Sequence, residues 1–283
     1  MIMDKTGIIC IFYNPSQDCI QFWNKMLIEG YETIIIDNTP SSNELKLSSG
    51  IHYKALNKNY GIAFAQNIGI KRANELGCTH IIFFDQDSRP ERKLIGALKG
   101  EFIKIQKKGI RIGAIGPKVV NLSTGDLYKG REITDSQPYV TKSIISSGEF
   151  TSMDVLNDVG GLLEVLFIDY VDKEWCWRAI SKGYKIYVSP DCFLKHMVGL
   201  RATTILSISF IISAPRRYFY QYRNFIWLLG RAYVPCNWKL KTMIRRLFEI
   251  VLVPLICKEK WITFKFINKG IWAGIKGFGK FNS

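Results

Sequence analysis

Two aspartates one residue apart interrupt the run "THIIFFDQDSRP", residues 79–90. Apolar residues lead into Asp85, Gln86 and Asp87, and Ser-Arg-Pro then turns the chain away. Neighbouring carboxylates repel, and desolvating them at the end of a buried strand is costly. A hard divalent cation, Mg2+ or Mn2+, removes that cost. It takes oxygen ligands, one or two of them carboxylates, and leaves places for water and substrate phosphates. The string D-x-D is short and common. Its position at the end of an apolar strand makes it a candidate metal and diphosphate site, with Asp85 and Asp87 as ligands.

A second acidic cluster lies in "FIDYVDKEWCWR", residues 167–178. Asp169, Asp172 and Glu174 stand beside Phe167, Ile168, Trp175 and Trp177. A carboxylate against apolar walls has a raised pKa and can serve as a general base. Acids at a helix start also interact with its dipole, which suits Glu174 and fits Asp172 as an N-cap. His196 follows a strand, outside any helical periodicity. Arg216, Arg217, Tyr218, Tyr220, Tyr222 and Arg223 form a basic aromatic stretch. Guanidinium geometry suits phosphate oxygens, and the same pattern would also serve as a solvated face.

These residues need a frame. "TGIICIFYN" (6–14) is a β-rich run ending at Asn14-Pro15. Residues 16–30 follow with helical spacing at Ile20, Trp23 and Leu27 and a stop at Gly30. Strands are predicted over 32–38, 52–57, 79–85 and 111–121, and helices over 62–77 and 91–109. Apolar strands alternating with helices predict a mostly parallel sheet covered on both faces, an α/β fold. The ligand of such a sheet sits beyond the carboxyl ends of the strands, where the strand order switches. Asn14, Asp37-Asn38, Asn57 and Asp85–Asp87 stand at four of those ends. Asn and Asp favour turns anyway, but four polar ends together predict a polar crevice. Residues 139–199 predict a loop, a short helix, a Gly-Gly turn, a helix over 172–182 and a strand.

The chain has 283 residues, enough for one large core or a core with an appendage. Its net charge of +15 draws anionic partners. The excess is concentrated late: residues 239–280 carry ten Lys or Arg against two Glu, interleaved with Trp261, Phe264, Phe266, Ile271 and Trp272. That composition suits a segment lying on an anionic bilayer. The apolar runs 205–212 and 250–257 are too short to span one. The expected division is residues 1–200 for the catalytic domain and 201–283 for a basic, helical, membrane-associating region. The seven cysteines form no C-x-x-C pair, which argues against a zinc site or disulfide framework. With no signal-like opening, they point to a reducing, cytoplasmic setting. G-x-x-x-x-G-K-[ST] and G-x-G-x-x-G are absent, so an ordinary ATPase or nicotinamide enzyme is not expected.

The chain resembles the inverting family 2 glycosyltransferases of GT-A fold, within them the bacterial rhamnosyltransferases. The matching strings are "IFYNP" (11–15), "IIIDNTPS" (34–41), "NKNYGIAFAQNIGIKRA" (57–73), "FFDQDS" (83–88), "SSG" (146–148), "GGLLEVLFIDYVDKEWCWRAISKGYKI" (160–186), "KHMVG" (195–199) and "RRYFYQYRN" (216–224). They follow the family's order. "FFDQDS" and "FIDYVDKEWCWRA" point to rhamnosyl transfer.

The resemblance implies roles, residue by residue. Asp37 and the segment from Asn59 through Gly61 to Asn67 would contact the nucleotide base and ribose. Asn14, Asp85, Gln86, Arg216 and Arg217 would complete the nucleotide-sugar site. Asp87 would be the more direct metal ligand, with Asp85 and His196 beside it. Asp172 falls at the second acid of the family's Glu-Asp pair, its catalytic base. Val171 stands where the first acid belongs, and Asp169 lies three residues earlier, so either aspartate remains a candidate base.

The implied reaction carries L-rhamnose from dTDP-β-L-rhamnose to a saccharide hydroxyl with inversion, the acceptor riding on a polyprenyl diphosphate at the inner face of the cell membrane. A UDP-hexose or UDP-galactofuranose donor is the nearest alternative. A sugar nucleotidyltransferase, releasing pyrophosphate, is a remote one. A nucleic-acid partner would explain the charge alone and leave the buried acids unexplained, so none is expected.

Overall fold

Alternate residues of the buried strands face two different layers, and the sequence supplies apolar side chains for both. Ile9, Ile11, Ile34, Ile36, Ile81 and Phe83 enter one core. Ile8, Cys10, Phe12, Ile35, Ile82 and Phe84 enter the other. The computed structural model describes residues 5–41, 45–121, 137–196, 202–205, 208–211, 213–257 and 259–282.

Strands β1 (Thr6–Phe12), β2 (Tyr31–Asp37), β3 (Ile51–Ala55) and β4 (His80–Asp85) run parallel. They alternate with helices α1 (Gln17–Lys25), α2 (Ile62–Glu75) and α3 (Arg92–Lys107). Strands β5 (Ile112–Asn121), β6 (Tyr139–Thr141) and β7 (Phe150–Ser152) follow, then α4 (Met153–Val159), α5 (Val171–Ser181) and β8 (Lys185–His196). The eight-stranded sheet has the order β3-β2-β1-β4-β7-β5-β8-β6. Beyond it lie a two-stranded ribbon, β9 (Ala202–Ile205) with β10 (Ile208–Ile211), and helices α6 (Pro215–Leu229), α7 (Cys236–Ile256) and α8 (Lys260–Asn282). Tyr218, Tyr222, Val253, Cys257 and Ile267 bind the last three helices through a small core of their own.

The α/β sheet expected from the alternation is present and mostly parallel. Two antiparallel strands interrupt it. Strand β7 pairs antiparallel to both β4 and β5, and β6 pairs antiparallel to β8. Three-residue strands leave too little periodicity to read, and Phe150 reads equally well as loop. Helix α1 stops at Lys25 with Met26 as its C-cap, five residues before the expected glycine stop; Gly30, at φ 80°, serves instead the turn into β2, where Tyr31 N donates to Ile28 O at 3.1 Å. The apolar run at 205–212 contributes to a ribbon. Residues 122–136, and residues 197–199 of the string "KHMVG", lie outside the described residues.

Phe102 of α3 is fully buried, its ring 5.4 Å from that of Phe150 and 5.8 Å from that of His80. It fixes α3 against the inserted strand. Phe102→Ala should cost about 3–5 kcal/mol, read as a lower urea midpoint with an unchanged slope.

Candidate active site

The strand order switches at β1, where β2 lies on one side and β4 on the other. In register, Asp37 pairs with Phe12 and Asp85 with Ile11. The two carboxylates therefore flank the carboxyl end of β1, as the polar strand ends predicted. Asp85, Gln86 and Asp87 are all half-buried.

The D-x-D turn is held from several sides. Ser88 N donates to Asp85 O at 3.0 Å. Trp23 Nε1 and Arg89 Nη1 donate to Gln86 O at 3.1 and 3.0 Å. The Gln86 amide accepts from Tyr13 N at 2.8 Å and donates to Tyr13 O at 3.1 Å, so it clamps the turn to the end of β1. Ser88 and Ser147, both buried, share a hydrogen bond that ties the turn to "SSG". Arg89 N donates to Lys195 O at 3.2 Å, which brings the chain next to His196 against the turn that follows Asp87. The side chain of His196 lies outside the described residues.

Among the described residues, no group of three or more His, Cys, Asp or Glu side chains is placed to hold a metal. Two half-buried carboxylates one residue apart still suit a hard cation that completes its shell with water and phosphate oxygens. The donor chemistry of Asp85 and Asp87 fits Mg2+ or Mn2+.

The remaining residues expected at the nucleotide have structural partners. Asp37 is 1% exposed, accepting from Thr39 N and Tyr53 Oη, both at 2.9 Å. Asn14 N donates to Thr39 Oγ1 at 2.7 Å. Asn59 Oδ1 accepts from Asn38 Nδ2 and Gly61 N. Asn67 donates to Leu162 O and Glu164 Oε1 and accepts from Leu162 N, so its amide pins α2 to the Gly-Gly turn. Gly61 sits at φ 89°, and a Cβ there would lie 2.5 Å from Phe167 O. Glycine admits this close approach, and Ile62 N donates to the same oxygen at 2.7 Å.

That approach brings in the acidic segment. Phe167, Asp169 and Tyr170 all adopt positive φ, 64°, 67° and 66°. Such backbone costs of order 1–3 kcal/mol per non-glycine residue, and side chains of α6 and α7 hold it. Buried Asn224 donates to Leu166 O, Ile168 O and Asp169 O at 2.8–3.1 Å. Arg223 Nη2 donates to Val165 O and Leu166 O. Arg217 grips both oxygens of Asp169 through Nε and Nη2 at 2.9–3.0 Å. Partial burial opposes the Arg217 charge, but the Asp169 bond and the charges of Asp169, Asp172 and Asp85 outweigh it and hold its pKa above the ordinary value. The same guanidinium thus bonds Asp169 and feels the charges of Asp172 and Asp85. Arg216 is exposed in the first turn of α6.

Tyr170, not Asp172, occupies the N-cap of α5, a correction that follows from the left-handed turn. Asp172 is half-buried in the first turn, where its Oδ1 accepts from Lys173 N at 2.8 Å. Glu174 is fully buried and paired with Arg178 and Tyr233. It anchors α5, and its place in the acidic cluster is scaffolding.

The sequence reading missed Glu149, directly after "SSG". It is 3% exposed, and its peptide is bonded to Phe83 of β4. Burial, then the charge of Asp172, pushes its carboxyl well above the usual range. The only sequence signal was an acid beside a buried strand.

The whole chain bears comparison with known proteins. No protein-family model matches it. It is 30% identical over 305 aligned positions to the dTDP-rhamnosyl transferase RfbF of Shigella flexneri, covering 97% of this chain and 98% of that one. The chain belongs to the bacterial rhamnosyltransferase group of the family 2 glycosyltransferases. The transferase shares its GT-A fold with residues 1–349 of S. aureus TarS in complex with UDP-GlcNAc. The TM-score is 0.53 at 14% identity, over 98% of this chain and 90% of that one. It also resembles GalNAc-T7 with UDP, GalNAc and Mn2+, at TM-score 0.55 and 14% identity, over 83% of this chain and 53% of that one. A fold kept at such low identity is a frame whose loops carry the specificity.

In the folded transferase, Glu149 keeps its proton to higher pH than in the unfolded chain. Its contribution to stability is therefore full below the ordinary carboxylate value of 4.5 and is lost as pH rises through the raised value. Glu149→Gln does not ionise and escapes that loss. The variant's Tm should gain on the wild type as pH rises from the ordinary carboxylate value of 4.5 through the raised value, as measured by thermal unfolding.

Proposed function

We propose that this glycosyltransferase carries L-rhamnose from dTDP-β-L-rhamnose to a saccharide hydroxyl by a single inverting displacement. The acceptor would be lipid-linked, on a polyprenyl diphosphate at the inner face of the cell membrane, in cell-surface polysaccharide synthesis. The observation that carries this reading is the likeness, over nearly the full length of both chains, to a dTDP-rhamnosyl transferase.

Asp172 is the base in this reading. Both oxygens of Asp169 already accept from the Arg217 guanidinium, a charge-assisted pair that commits this carboxylate to positioning. Asp169 then positions Arg217, and Asp172 takes the proton of the acceptor hydroxyl as it attacks the anomeric carbon. Asp85 and Asp87, with His196 near them, would hold Mg2+ or Mn2+. When bound, the cation supplies positive charge to the donor diphosphate. Arg216 and Arg217 add to that charge from α6. Gln86 keeps the D-x-D turn in place, and the bonded polar groups of Asn14, Asp37, Asn59, Gly61 and Asn67 shape the walls against which the nucleotide lies.

Asp172→Asn should lower kcat by roughly a hundred- to ten-thousand-fold while leaving the KM for donor near that of the wild type. Asp169→Asn should lower kcat less. An Asp172→Asn enzyme with full turnover beside an inactive Asp169→Asn enzyme would reverse the assignment.

Incubation with dTDP-rhamnose, UDP-hexoses or UDP-galactofuranose and lipid-linked saccharides tests the donor. Release of dTDP from the first alone is expected. EDTA should abolish that release, Mg2+ or Mn2+ should restore it, and Asp87→Ala should not respond. Donor affinity unchanged by EDTA, measured calorimetrically, would remove the metal from the site.

A further inference from the structure

Helix α7 turns two chemically different faces outward and inward. Thr242, Arg246, Glu249 and Val253 are buried. Leu240, Leu247, Phe248, Val251 and Leu255 are 56–64% exposed, and Met243 and Ile244 are exposed among them. Their spacing of three, four or seven residues makes one apolar stripe along the 21-residue helix. A soluble monomer rarely leaves such a stripe to water. Helix α8 adds Trp261, 84% exposed, and Trp272, 65% exposed. Cations border these residues: Lys241 and Arg245 on α7, and Lys260, Lys265, Lys269 and Lys276 on α8, all exposed. Neither α7 nor α8 is apolar enough to cross a membrane.

The inner face of the same helix reaches the acidic segment. Buried Arg246 donates to Tyr170 Oη, to Glu249 Oε2 and, at 3.0 Å, to Gln221 Oε1. Tyr222 Oη donates to Arg246 O at 2.9 Å. Tyr170 lies between Asp169 and Asp172 in the chain. One helix diameter, about 10 Å, therefore separates the exposed stripe from the side chain that braces the acids.

We propose that the outer face of α7, continued by Trp261 and Trp272, lies on an anionic bilayer and so holds the acidic segment over acceptors anchored in that bilayer. Exposed apolar residues rimmed by lysines match the acyl boundary and the anionic headgroups together. A second copy of this chain would bring the same cations face to face, so charge complementarity favours lipid. What the docking serves rests on the transferase reading, but the docking itself does not.

The full chain is co-sedimented with phosphatidylcholine vesicles and with vesicles that also contain phosphatidylglycerol. Binding to the anionic vesicles should be at least roughly tenfold stronger and should weaken as salt rises. The triple variant Leu247→Glu, Phe248→Glu, Val251→Glu should lose that binding while its donor hydrolysis without vesicles stays within about twofold of wild type. Equal binding to both vesicle types, or an unaffected triple variant, would overturn the proposal. So would a wild-type dimer that the triple variant turns into a monomer in sedimentation velocity, since the face would then belong to a second copy. Failure to hydrolyse any donor would sink the transferase reading and leave the vesicle result standing.

Discussion

The acidic segment cannot hold its own shape. Three of the four residues from Phe167 to Tyr170 adopt positive φ without being glycine, at a cost of order 1–3 kcal/mol each. Local backbone bonds, Phe167 N to Glu164 O and Ile168 N to Leu166 O, shape the turn. The compensation comes from α6 and α7: Asn224 takes three carbonyls, Arg223 two, Arg217 the Asp169 carboxylate and Arg246 the Tyr170 hydroxyl. The inward-facing side chains Arg217, Arg223, Asn224 and Arg246 therefore brace the acidic segment from α6 and α7, although the sheet that positions Asp85 is complete without them.

A second division of labour runs through the crevice. Its amides are mostly structural: Gln86 clamps two strand ends, Asn67 ties a helix to a turn, and Asn59 and Asn38 bond each other. Backbone leaving a strand has peptide groups without ladder partners, and short polar side chains satisfy them. Asp85 and Asp87 stay half-buried at the rim, where a cation and a diphosphate could replace the water they would lose.

Much of this was legible in the chain. The alternation of apolar runs and helical spacing located β1 to β4 and α2, α3 and α5 to within two residues, because each buried strand must be apolar on both faces and each helix on one. The polar strand ends located Asp37 and Asp85, which the register sets on either side of the end of β1. Strand β7 was not legible, since Phe150–Ser152 is three residues long and is recruited by the open edges of β4 and β5. Glu149 was missed for the same reason: its burial follows from that recruitment.

The sequence by itself determined which residues could do chemistry, the sheet that carries half of them and the family to which the whole belongs. Those follow from composition, period and local strings, which do not depend on distant contacts. It left two candidate bases, Asp169 and Asp172. Only the tertiary structure bears on that choice, because it sets Arg217, 48 residues away, on both oxygens of Asp169. It also decided that α7 is apolar outside and wired to Tyr170 inside. Which face of a helix meets the rest of the molecule is fixed by what packs against it, and no local pattern contains that information.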